Sequence, residues 1–190
     1  MKTDVNRVED LADALVDNMP YADNSVLYPE FDTVKRDDGV FPEWFYPAMS
    51  GINDFSELNS ILMYTRQNTK FDDISELLLG IALVEMKHYD KLQDFIKALG
   101  GNVDRHYSST KVETGSTSVE ALRVAIKAER AAIAAYHKVQ NQLNAVDRTA
   151  TVDIARDFVY KLICDENRHE QLLVEKLVEL TGSEDVDDNR

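Results

Sequence analysis

The 190-residue chain predicts an all-α protein: a four-helix bundle with one long crossover, preceded by a short helix and an irregular N-terminal segment. Three observations predict it. All four prolines, Pro20, Pro29, Pro42 and Pro47, lie before residue 48, leaving the rest free of helix breakers. Beyond that point the apolar residues recur at helical spacing throughout. The connections between helical runs alternate short, long, short, the pattern of a bundle with one crossover.

Taken in order, Val8, Leu11, Leu15 and Val16 predict a short amphipathic helix, and the prolines then punctuate an irregular stretch. Trp44, Phe45 and Tyr46 would be costly in water, so residues 1–47 are expected to wrap the bundle or a partner subunit. The bundle itself is expected over 48–182. Its first helix runs to about Gln67. The second starts with Asp73 as N-cap and Glu76 three residues later, and stops at Gly100-Gly101. Thr117 and Glu120 have capping-box spacing for the third, which ends near Asn144; the fourth runs from about Thr151 to Thr181, with Gly182 as its stop. The first and last pairs are joined by short turns and so form antiparallel hairpins. About 17 residues join helices two and three, enough to cross the length of the bundle. Residues 183–190 read as an acidic, mobile tail.

The bulk composition narrows the function classes. A formal charge of −14 argues against nucleic acid or an anionic membrane as partner. No apolar run approaches the roughly 18 residues of a membrane span, and no signal or transit peptide is evident, so the expected location is cytoplasmic. The single cysteine, Cys164, leaves no internal disulfide framework and no four-cysteine metal site in one chain.

The helical seams carry a fault. On helix two, Ile74, Leu78, Ile81, Glu85, His88, Leu92, Phe95 and Leu99 follow one 4-3-4-3 spacing and share a face, and two of the eight are polar. Helix four repeats it: Ala155, Val159, Leu162, Glu166, His169, Leu173, Leu177 and Leu180. Helix three, with Leu122, Ile126, Glu129, Ile133 and Tyr136, holds one seam carboxylate; helix one, with Glu57, Ile61 and Tyr64 beside Leu58 and Leu62, holds another. Counting outward from each hairpin turn puts Glu57 level with Glu85, and Glu129 level with Glu166, to within one residue, or about 1.5 Å of rise. A buried, unpaired carboxylate costs several kcal/mol, and four together repel. Two divalent cations neutralise four carboxylates charge for charge, and a Glu/His mixture suits iron or manganese better than calcium.

One Glu from each of two helices and Glu-x-x-His from each of the other two resembles the ferritin-like dinuclear carboxylate constellation, a pattern of residues well described in general terms. The segments "SELNSILMY", "LLLGIALVEMKH", "KAERAAIAAY" and "DENRHEQLL" look like the four helix motifs of the rubrerythrin branch, related to the manganese-catalase-like members, over about residues 48 to 180. The resemblance implies two iron or two manganese ions per chain. Glu57 and Glu129 would be single-helix ligands, Glu85 and Glu166 bridges, and His88 and His169 would each cap one metal, so that these carboxylates form the reacting centre. Tyr64 and Tyr136, each seven residues after a ligand glutamate, could hydrogen-bond the ligands. A rubredoxin domain, which needs four cysteines, has no counterpart in this sequence. Ile126 and Ala132 stand where many rubrerythrins carry a further helix-three carboxylate, so the resemblance does not bring with it that residue's metal movement or dedicated peroxidase activity.

Elsewhere, His106 reads as a surface residue, His137 as a helix-flank residue and Cys164 as a small apolar one, with Tyr89 and Tyr160 in the core. The expected function is a dinuclear iron or manganese oxidoreductase of peroxidase or catalase type. It would act on hydrogen peroxide or dioxygen, with an external electron donor if a peroxidase, in a homodimer. The alternatives are a structural metal-binding bundle and a ferroxidase or iron-sequestering protein.

Overall fold

The computed structural model describes residues 13–16, 18–51, 56–104 and 112–187. Among them there is no strand, and four long helices make the body: α1 (Glu57–Lys70), α2 (Ser75–Ala98), α3 (Ser118–Asn144) and α4 (Ala150–Thr181). Helix ends follow local chemistry. Gly100 ends α2 at φ +83, and the Gly101 N–H donates to Ile96 O at 2.8 Å. The Thr117 hydroxyl accepts from the Glu120 N–H at 3.2 Å while the Glu120 carboxylate accepts from the Ser116 N–H at 2.7 Å, a box closed one residue upstream of the cap. Thr149 caps α4, and Gly182 closes it at φ +71.

Two boundaries differ from expectation. The first helix does not run from residue 48: a one-turn helix, Tyr46–Ser50, stops at extended Gly51, and Ser56 starts α1 afresh as N-cap. Asp73 is not the cap of α2. It lies in a 3-10 turn, Asp72–Ile74, and its carboxylate accepts from the Ser118 hydroxyl at 2.6 Å, tying the start of α2 to that of α3.

The helices of each hairpin, α1 with α2 and α3 with α4, pack along one another. Their seams bury two apolar halves. One gathers Phe45, Met49, Leu92, Phe95, Phe158, Val159 and Leu162; the other gathers Met63, Leu78, Ile81, Leu122, Ile126, Leu173 and Leu177. Each such side chain contributes about 1.5–3 kcal/mol by leaving water. All eight predicted α2 seam residues are buried. Leu180, in the last turn of α4, is instead 39% exposed. On α3, Ala132 is buried and Ile133 only partly so; on α1, Ser60, Met63 and Gln67 are buried while Leu58, Ile61 and Leu62 are half-buried.

The N-terminal segment lies on the bundle. Phe45 and Met49 are fully buried, Trp44 packs against the same half of the core, and the Phe31 ring sits 5.0 Å from that of Phe95. Residues 13–16 are helical with Leu15 exposed, whereas Val8 and Leu11 lie outside the described residues, as does His106. The tail is not simply solvated: Val186 is buried and Asp187 pairs with Lys127 at 2.6 Å; residues 188–190 lie outside the described residues.

Candidate metal centre

Between the two apolar halves the seams turn polar. Glu85 and His88 are three residues apart on α2, and Glu166 and His169 three apart on α4, so each pair projects from one helix face. Glu57 at the start of α1 and Glu129 in the middle of α3 complete the layer. All six are at most 2% exposed. They fall into two groups, Glu57, Glu85, His88 and Glu166, and Glu85, Glu129, Glu166 and His169, and within each group one ligand atom per residue lies within 4.8 Å of the others. Glu85 and Glu166 belong to both.

The imidazoles face inward through Nδ1. His88 Nδ1 lies 3.3 Å from Glu166, 3.5 Å from Glu85 and 3.6 Å from Glu57; His169 Nδ1 lies 3.1 Å from Glu166, 3.3 Å from Glu85 and 3.7 Å from Glu129. Both Glu85 oxygens, Glu166 Oε1 and His88 Nδ1 have no hydrogen-bond partner among the described residues. Buried polar atoms left unmatched are expensive, and these four lie in one buried layer, Glu85 Oε2 and Glu166 Oε1 toward His88 and Glu85 Oε1 toward His169. This donor set, carboxylates and imidazoles in two groups with Glu85 and Glu166 in common, is compatible with a pair of divalent ions.

The electrostatics agree. Burial, reinforced by Glu85 and Glu166, raises Glu57 well above the usual carboxylate range; burial with Glu166 and Glu85 does the same to Glu129. Burial opposes ionisation of Glu85 and Glu166, and the Glu166 charge opposes that of Glu85 further, but the close approach of the two imidazoles outweighs this and holds both below the usual range. Burial would lower both imidazoles. For His88 it is overcome by Tyr28, Glu166 and Asp165, and for His169 by Glu129, Glu166 and Glu85, so both lie well above the usual histidine range.

Tyr64 and Tyr136 do reach the glutamates, but each takes the one on the other helix: the Tyr64 hydroxyl donates to Glu129 and the Tyr136 hydroxyl to Glu57. Helices α1 and α3 are antiparallel, so seven residues, about 10.5 Å along one helix, bring each phenol level with the opposite carboxylate.

Asp165 and Lys161 were not anticipated. Asp165 is fully buried on α4, and His88 donates through Nε2 to its Oδ2 at 3.1 Å. Lys161, 2% exposed, donates to Asp165 Oδ1 at 2.7 Å. Burial pushes the Asp165 carboxyl up, but His88 and Lys161 outweigh it and the group lies below its ordinary range. The signal available in the sequence was slight: an acid directly before a ligand glutamate, with a lysine four residues upstream. Of the remaining candidates, His137 is exposed beside Gln140, Cys164 is partly buried, and Tyr160, expected in the core, is 52% exposed.

No helix among the described residues is long and apolar enough to cross a membrane. A search of curated proteins finds no match to this chain. Residues 58–178 match the family model of the ferritin-like domain, a span that takes in five of the six residues of the polar layer and begins one residue after the sixth, Glu57. That match covers well over half of the sequence and coincides with the four-helix architecture, so the chain belongs to the ferritin-like domain family.

Proposed function

We propose that the protein is a dinuclear iron or manganese oxidoreductase acting on hydrogen peroxide or dioxygen, of the rubrerythrin or manganese-catalase kind. The observation that carries this reading is the sharing of Glu85 and Glu166 between two four-residue groups, because shared carboxylates are what hold two ions side by side. Glu57 and His88 would complete one ion's ligands, Glu129 and His169 the other's. When bound, the pair would supply or accept electrons two at a time.

The chain's own residues prepare the place. Apolar layers on both sides keep bulk water from the six donors, and Tyr64 and Tyr136 each fix one oxygen of a terminal glutamate, leaving the other to face the centre. Reduction of one peroxide to two waters consumes two electrons and two protons. With one cysteine in these 190 residues, those electrons would come from an external donor; disproportionation of two peroxides needs none.

Peroxide loss measured with iron- and manganese-loaded protein, with and without an added reductant, tests this. Turnover that disappears in Glu85→Ala supports the reading. Absence of turnover with either metal, in protein shown to hold two ions, refutes it; if such protein also assembles into a closed shell of subunits, iron sequestration takes its place.

A further inference from the structure

The two halves of the centre are built alike on the inside and differently on the outside. His88 Nε2 is held by Asp165, whereas His169 Nε2 is buried with no hydrogen-bond partner among the described residues. The residue before the glutamate differs between the two Glu-x-x-His helices. Asp165 directly precedes Glu166; the residue directly preceding Glu85 is Val84, 1% exposed and unable to accept a hydrogen bond from its side chain.

Asp165 is not held by the bundle alone. Its Oδ1 accepts from the backbone N–H of Asp23 at 2.7 Å, and its Oδ2 from the Tyr28 hydroxyl at 3.2 Å. Lys161 Nζ donates both to Asp165 and, at 2.8 Å, to the Asp23 carbonyl, closing a ring of contacts between α4 and the N-terminal segment. Arg168 Nε adds a bond to Pro20 O at 3.0 Å. On the other helix, Gly80 makes room for the Tyr21 ring, which lies where a side chain would begin. Residues 20–28 therefore form a strap seated on both Glu-x-x-His helices.

We propose that this strap is a working part of the metal centre: through Asp165 it positions His88, so that the His88 side binds its ion more tightly than the His169 side, and ion binding there and docking of the strap stabilise each other. This rests on the dinuclear reading above. Asp165 and Tyr28 are positioning residues. Partners of this kind on a ligand histidine typically change metal affinity by about 10- to 100-fold. Because linkage is reciprocal, what the strap adds to ion binding the ion must add to strap docking.

The test is Mn(II) equilibrium binding, with amide hydrogen exchange of residues 20–28 followed in the same samples. Wild type should show two classes of about one ion each, separated by tenfold or more, and strap exchange should slow by at least several-fold as the tighter class fills. Asp165→Asn should weaken the tighter class by about 10- to 100-fold, leave the other within about twofold, and abolish the effect of Mn(II) on strap exchange. Tyr28→Phe, which keeps the ring and the Asp165–Lys161 pair, should shift the same class in the same direction by less. Two equal classes in wild type, equal weakening of both classes in either variant, or strap exchange indifferent to Mn(II) would each overturn the proposal while leaving the dinuclear reading intact. Failure of wild type to bind any ion, with Glu85→Ala indistinguishable from it, would remove both.

Discussion

Loading the centre with two divalent ions at pH 6 should expel protons, up to four per chain. Fully deprotonated, four carboxylates and two neutral imidazoles would bury four negative charges, at several kcal/mol for each unpaired ion against a total stability of about 5 to 15 kcal/mol. The metal-free protein avoids this with protons. Burial and the neighbouring carboxylates push Glu57 and Glu129 toward the protonated form, the surrounding acids push His88 and His169 toward the charged form, and Glu85 and Glu166 are held toward the ionised form, a combination that moves the layer toward neutrality. Two divalent ions carry the same charge as four protons and would replace them. The sign for stability follows. The four raised groups stabilise the metal-free fold fully below their unfolded values, about 4.3 for Glu and 6.5 for His, and that contribution is lost as pH rises through their higher folded values. Glu85 and Glu166, held low, contribute above the ordinary carboxylate value and lose that contribution as pH falls. Metal binding should therefore tighten with rising pH, and the gain in Tm on loading should be larger at pH 8 than at pH 6. Proton release is read directly in a weakly buffered anaerobic Mn(II) titration, or by calorimetry in two buffers of different ionisation enthalpy. Release of fewer than about two protons at pH 6 would refute this account of the layer.

Other substitutions separate the parts of the structure. Tyr136→Phe should weaken the ion on the Glu57 side and Tyr64→Phe the one on the Glu129 side, each by about 10- to 100-fold, measured by Mn(II) binding; the crossed assignment is the point of the test. Gly80→Ala puts a methyl group where Tyr21 packs, and should speed hydrogen exchange at residues 20–28 even though alanine favours the helix by about 0.5–1 kcal/mol. Removing the cap with Thr149→Ala should cost about 1 kcal/mol, a fall in Tm of about 2–4 °C, by thermal unfolding of the metal-free protein.

The bundle was legible in the sequence because its strongest signals are local. Caps such as Thr117 and stops such as Gly100 and Gly182 act within a turn, and the α2 seam is apolar enough for Glu85 and His88 to stand out as exceptions. Helix α1 was read less well. Its buried face is largely polar, with Ser60 and Gln67 inside and the Gln67 amide donating to Ala121 O at 3.2 Å, so Ile61, which is only half-buried, looked like the core residue. The crossed phenols were half legible: the seven-residue spacing placed them, but only the antiparallel pairing of α1 with α3 decides which carboxylate each meets. Asp165 was hidden by its setting. In "CDENRHE" it is one acid among several, and its burial depends on Lys161 and on a segment more than 130 residues away in sequence.

The most direct test of the central claim is elemental analysis of protein purified without added metal, and again after anaerobic loading with Fe(II) or Mn(II). The arrangement of Glu57, Glu85, His88, Glu129, Glu166 and His169 predicts about two ions per chain, lost in Glu85→Ala while the helical content stays. An ion count that stays at zero under every loading condition, or one unchanged by Glu85→Ala, would contradict it.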